Sequence, residues 1–132
     1  MPFLRVEGLG NSCIIRKLLI LLLRMRKVVT YGGFFEAFME TLTDGQREKV
    51  KYGLLLLKTQ NRLSQKFVKH IEDGLYELRT KYEGNNFRTF FIYDKDNLVV
   101  LFNGFQKKRA KTPRKEIEKA KRIMAEYYDR TR

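Results

Sequence analysis

From residue 27 onward the apolar positions follow two periods. Lys27 to Tyr31 is short and β-branched, which predicts an edge strand. Phe34, Phe35, Phe38, Met39 and Leu42 recur at helical spacing, and Asp44–Gly45 is expected to break that helix. Val50, Leu54 and Leu57 form the stripe of a second helix, widened by Tyr52, Leu55 and Leu56 and ending near Asn61. Two helices with a tight break predict a helical hairpin. After Asp73–Gly74 the period drops to two. Tyr76, Leu78, Thr80 and Tyr82 then take one side of a strand, and Glu77, Arg79 and Lys81 the other. Glu83 to Asn86 is turn chemistry, Phe87 to Tyr93 a second strand, Asp94 to Asn97 a turn, and Leu98 to Phe105 a third strand. Thr112 and Pro113 supply an N-cap and a first-turn proline for a last helix. Its buried face is expected to carry Ile117, Ala120, Ile123, Met124 and Tyr127. The order β-α-α-β-β-β-α predicts a small α+β domain, an antiparallel sheet with helices packed on one face.

Residues 1–24 stand apart from this pattern. The unbroken apolar run Leu18 to Leu23 is far shorter than the roughly 20 residues needed to span a bilayer. Arg24, Arg26 and Lys27 follow it, where the small residues of a signal cleavage site would be expected. Met25 offers an internal start. Residues 1–24 are therefore read as an upstream extension or non-conforming segment, and residues 25–132 as the functional domain. The alternative is an extra helix packed on that domain.

Charge and composition narrow the chemistry. The 132 residues carry 28 Lys and Arg against 15 Asp and Glu, a formal charge of +13. Such a balance points to nucleic acid, a ribosome, an anionic membrane or an acidic protein. Six of the cations fall between Phe105 and Lys115 with no acid among them, between two elements that read as ordered. Fixed cations repel, and a polyanion is the natural partner to offset that cost. A single cysteine, Cys13, allows no intrachain disulfide, and one cysteine with one histidine, His70, cannot assemble a zinc site of the usual kind.

Five segments carry a resemblance. Gly74-Leu75-Tyr76-Glu77-Leu78-Arg79, Phe87-Arg88, Gly104-Phe105-Gln106-Lys107-Lys108, Lys111-Thr112-Pro113 and Glu116-Ile117-Glu118-Lys119-Ala120-Lys121 closely resemble, in order and spacing, the RelE/HigB-like toxins of bacterial type II toxin–antitoxin modules. The similar branch includes phage-derived members, and the resemblance spans about residues 25–130. It implies a RelE-like fold and a cytoplasmic mRNA interferase that enters the ribosome, cuts mRNA and stops translation. It also implies no cofactor, no metal and no membrane partner, with the RNA 2′-hydroxyl as nucleophile. The expected partners are mRNA, the ribosome and a cognate helix-turn-helix antitoxin.

That reaction needs cations around the developing phosphorane and groups that take and return a proton. Arg79 and Arg88 are the first candidates, because a guanidinium fork matches two phosphate oxygens and the two lie on adjacent predicted strands. Lys107 is the third catalytic candidate, and Lys108, Arg109 and Lys111 are expected to grip the RNA backbone. Glu77 is the carboxylate on the Arg79 side: a general base, or a structural ion pair with Arg79. His70 lies in the approach to the first meander strand and is not favoured. Tyr93 is a candidate acid or stacking residue for RNA. Most of the aromatic stripe Phe87, Phe90, Phe91, Tyr93, Phe102 and Phe105 reads as core, with Tyr93 or Phe105 reaching an open face. Two rival functions share these features: a non-catalytic RNA- or ribosome-binding protein, and a degenerate toxin acting through an acidic protein partner.

Overall fold

The computed structural model describes residues 12–132. It contains four helices and one five-stranded sheet. In chain order these are α1 (Ser12–Arg24), β1 (Lys27–Thr30), α2 (Phe34–Glu40), α3 (Asp44–Thr59), β2 (Val68–Glu72), β3 (Leu75–Tyr82), β4 (Asn85–Asp94), β5 (Leu98–Lys107) and α4 (Arg114–Thr131). The α+β class holds. The sheet order is β1-β5-β4-β3-β2, with β1 parallel to β5 and the other pairs antiparallel, so the sheet is mixed. A parallel pair needs a long crossover, and the chain between β1 and β5 supplies one through two helices and three strands.

Helices cover both faces rather than one. Phe35, Phe38, Leu42, Val50 and Leu57 from α2 and α3 bury against Leu78, Phe87, Phe91, Val99 and Leu101. On the opposite face, Ile117, Ala120, Ile123, Met124 and Tyr127 of α4 bury against Leu75, Phe90, Ile92, Val100 and Phe102. The cause lies in the strands: Phe90-Phe91-Ile92 and Leu98 to Phe102 are unbroken apolar runs. Such runs present hydrophobic side chains on both sides and must be covered on both.

Local signals explain most element ends. Asp44–Gly45 does not break a helix; it lies in the first turn of α3. Thr43 caps that helix, accepting from the Gln46 backbone N–H while the Gln46 side chain accepts from Thr43 N–H. At the other end of α3, the Arg26 guanidinium donates to the carbonyls of Leu57, Gln60 and Asn61, which the helix leaves without partners. Asp73–Gly74 and Glu83–Gly84 are two-residue hairpin loops with both residues at positive φ, the twist that tight antiparallel hairpins favour. The first of these loops implies a strand before it. That strand, β2, is absent from the predicted order.

Residues 1–11 of the N-terminal segment lie outside the described residues. The remainder forms α1, on which Ile14, Leu18, Leu19, Ile20 and Leu22 stay exposed. The Asn97 amide donates to the Arg24 carbonyl at its end. Among the described residues, no helix is long and apolar enough to cross a membrane.

The C-terminus of α4 is tied back to the sheet through Asp94. Its carboxylate, almost fully buried, accepts from the Tyr127 hydroxyl and from the Arg132 guanidinium. Those bonds favour the ionised form and hold the Asp94 pKa at about 2, below the ordinary aspartate value. A carboxylate whose pKa is depressed on folding adds stability above its unfolded pKa and loses it as pH falls through the folded one. The acid-melting profile is therefore expected to steepen from about pH 4 toward pH 2. Asp94→Asn is expected to lower stability at pH 7 by about 1–3 kcal/mol. The gap should close near pH 2, as urea denaturation across that range would measure.

Candidate nucleic-acid site

The pleat places Glu77 and Arg79 of β3 on the α4 face, beyond the end of the helix that covers Leu75. Arg88 is the direct cross-strand partner of Arg79, and Lys69 on β2 is that of Glu77. Lys107 reaches the same face through a β-bulge. Between the pairs Thr89–Gly104 and Phe91–Leu101, β5 spends three steps where β4 spends two. The extra residue reverses the alternation along β5. Val100 and Phe102 face α4, and past the bulge so do Phe105 and Lys107. Phe105 accordingly stacks on Phe90, with ring centroids 5.8 Å apart. Without the bulge, Gly104 and Gln106 would hold those places. Gly104 sits on the other face, where a side chain would run into the Phe38 ring.

Four cations thus surround one carboxylate. Glu77 is 1% exposed. Its Oε2 accepts from Arg79 Nε at 3.1 Å and lies 3.7 Å from Arg88 Nε, while its Oε1 accepts from the Thr112 hydroxyl at 3.2 Å. Arg79 also donates to the Gln65 carbonyl at 3.1 Å, and Arg88 to the Phe87 carbonyl at 3.1 Å. Arg88 is almost fully buried and Arg79 about a quarter exposed. Burial lowers the Arg88 pKa; Glu77 opposes that shift and Arg79 adds to it. Lys107 is also pushed below the ordinary lysine range, first by burial and then by Arg88, with Glu77 opposing and Arg79 and Lys69 contributing.

Over this cluster lies an open cleft of about 390 Å³, bordered by Lys69, Glu77, Arg79, Lys107, Lys111 and Thr112. Lys111 stands on its rim. Lys108 and Arg109 line an adjoining groove instead. Of the expected catalytic residues, Glu77, Arg79, Arg88 and Lys107 therefore come together, with Lys111 beside them and Lys108 and Arg109 next door. Tyr93 does not join them. It lies on the opposite face, 39% exposed, edge-on to Tyr76, with the Arg26 guanidinium 5.2 Å from its ring. Its odd position on β4 matches Phe91, not Arg88. His70 borders the cleft, but its ring packs edge-on against Tyr76 at 5.0 Å.

Two residues of the site were not expected. Lys69 follows from β2, which the Asp73–Gly74 loop signals. Thr112 is not an N-cap: α4 begins at Arg114 after Pro113 without a side-chain cap, and the Thr112 hydroxyl serves Glu77. The basic segment is also less uniform than its sequence. Arg114 binds Glu72 through two bonds and pairs with Glu118. Glu72, which also accepts from Lys121, is held at a pKa of about 2 by these cations.

The phage derived protein Gp49-like (DUF891) family matches residues 37–125. The chain belongs to this family. It thereby takes its place among the RelE/HigB-like toxins that its motifs resemble. The match covers Glu77, Arg79, Arg88, Lys107 and Thr112 together, and leaves α1 and β1 outside. No curated protein sequence matches. Among solved structures, a chain of the archaeal RelE–RelB complex from Pyrococcus horikoshii OT3 is similar at 15% identity and TM-score 0.49, covering 67% of this chain and 99% of that one.

In this Gp49-like domain the buried carboxylate is expected to be worth more to stability than to solubility. Replacing Glu77 with Gln leaves two crowded guanidinium groups without their counter-charge, an effect of about 3–5 kcal/mol for a buried pair. Thr112→Val is expected to cost about 1 kcal/mol. Thermal and urea melts of the two variants would check the ranking, and equal losses would contradict it.

Proposed function

We propose that this chain is the toxin of a type II toxin–antitoxin module and acts as a metal-independent, ribosome-dependent mRNA endoribonuclease. The observation that carries the reading is the convergence of Arg79, Arg88 and Lys107 on one face of the sheet around buried Glu77. An RNA linkage seated in the cleft would meet a guanidinium accessible at Arg79, a fixed positive field from Arg88, and the Lys107 ammonium.

In this reading the 2′-hydroxyl loses its proton to solvent water as its oxygen attacks the adjacent phosphorus, and the 5′-oxygen departs, leaving a 2′,3′-cyclic phosphate. The guanidinium groups stabilise charge on the non-bridging oxygens. Lys107, whose pKa is lowered, delivers a proton to the departing 5′-oxygen more readily than an ordinary lysine. Glu77 is read as the anchor of the arginines rather than the base, because both of its oxygens are already engaged. Lys108, Arg109 and Lys111 hold the backbone on either side. The partners that go with this activity are the ribosome, mRNA and a helix-turn-helix antitoxin.

A non-catalytic RNA- or ribosome-binding role is favoured by one observation. The two carboxylates bordering the cleft, Glu72 and Glu77, are both committed to cations. Arrest of translation without RNA cleavage would select that reading.

Inducing residues 25–132 in a bacterium is expected to stop growth with mRNA cut at translated codons. Arg79→Ala should lower cleavage by about 100-fold or more. Arrest should disappear in variants that still melt cooperatively. A cleavage pattern unchanged in Arg79→Ala would overturn the assignment. Loss of the Lys107 proton removes the acid, so the rate is expected to fall as pH rises through a value below that of ordinary lysine. Lys107→Arg, which keeps its charge across that range, should abolish this descent while lowering the rate; a pH–rate profile on programmed ribosomes measures both.

A further inference from the structure

A second depression continues from the cleft, sharing Lys111, Thr112 and Ile117 with it. At about 890 Å³ this groove is in the size range of ligand sites. Five cations, Lys108, Arg109, Lys111, Arg114 and Lys115, line it against one carboxylate, Glu116, and among the described residues all of the five but Arg114 lack an ion-pair partner. Phe105 forms part of its wall. One face of that ring is covered by Phe90, whose plane is inclined by 25°, and the side chain remains only partly buried. Phe105 is also the direct cross-strand partner of Arg88.

We propose that this groove is a nucleotide subsite, in which an unpaired RNA residue next to the linkage in the cleft stacks its base on Phe105. Its phosphate lies among Lys108, Arg109 and Lys115. The proposal rests on the ribonuclease reading for the position of the scissile linkage. Its chemistry is that of single-strand recognition: an aromatic face accepts any base, and the surrounding cations track the backbone. A duplex is excluded, because its base faces are covered by their neighbours. The groove therefore selects for single-stranded RNA without requiring a particular sequence, and the register of Phe105 with Arg88 sets one base beside the charge cluster.

The test uses the full chain and short fluorescent RNAs with a 2′-deoxy residue at the linkage, read by anisotropy. Phe105→Leu is expected to weaken single-strand binding about tenfold or more, the scale of one lost stacked base. Phe105→Tyr should retain it, and affinity for a duplex of the same sequence should change less than twofold. Removing one base beside the deoxy position should weaken wild-type binding and have no further effect in Phe105→Leu. A folded Phe105→Leu variant that binds as wild type overturns the subsite, and so does Phe105→Tyr losing as much as Phe105→Leu. If Phe105→Leu fails to fold, the abasic series on the wild type decides, and indifference to the missing base refutes stacking. Cleavage of all-ribose mRNA on ribosomes is scored separately. Its absence with base-dependent binding intact would remove the nuclease reading and leave the subsite standing.

Discussion

Two arginines placed directly opposite each other on neighbouring strands repel, and Glu77 is what makes that arrangement tolerable. It is two residues from Arg79 on the same face, so the strand's own period brings the carboxylate to the guanidinium. Burial strengthens the attraction and raises the penalty for any charge left over. Four cations around one anion leave an excess of positive charge by construction. Burial lowers the pKa of Arg88 and Lys107, and the neighbouring cations add to the shift. A fold seeking stability alone would have neither Arg88 nor Lys107 here. In the proposed reading, an RNA phosphate in the cleft would complete the balance.

The bulge in β5 is the second constraint. It turns Lys107 toward Arg88 and, by the same step, turns Phe105 onto Phe90 and Gly104 beneath Phe38. It carries a cost. The Asn103 amide is 2% exposed, and neither of its polar atoms has a protein hydrogen-bond partner; the Thr89 hydroxyl shares that condition. A regular strand would send Lys107 to the other face. Bulges often sit beside functional sites because they re-aim a side chain in this way.

Periodicity in the chain made α2, α3, the meander and α4 legible, along with the side of β3 shared by Glu77 and Arg79. The motif resemblance supplied the toxin family and the four clustered residues. What stayed hidden depends on contacts between distant segments. The direction of β1 is set by β5, some seventy residues later, and nothing local encodes it. The strand β2 was hidden because Asp73–Gly74 was read as a boundary rather than as a hairpin loop. Lys69 was lost with it. Alternation alone gives no warning of the bulge, so it cannot choose between Lys107 and Lys108. Tyr93 drew attention as an aromatic near a strand end, yet parity with Phe91 already placed it opposite Arg88. Thr112 before Pro113 has the local look of a cap, and only the tertiary position of Glu77 shows where its hydroxyl goes.

The division of labour along the basic segment follows from where each side chain finds an acid. Arg114 lies at the start of α4 and meets Glu72 from the β2–β3 hairpin, so its charge is spent on joining helix to sheet. Lys107 lies on the sheet itself beside Glu77 and Arg88, and burial first, then Arg88, lowers its pKa. Lys108, Arg109 and Lys111 between these two, and Lys115 just beyond, stand exposed with no acid paired to them among the described residues. Exposed cations contribute little to stability and lose strength with added salt. In the proposed function their value lies in contact with a phosphate backbone, where each neutralised phosphate releases counterions. The run from Lys107 to Lys115 thus holds one paired arginine, one partly buried lysine with a lowered pKa, and four exposed cations. In the proposed function, a strand of RNA would be gripped outside the cleft while the arginines inside it stay fixed.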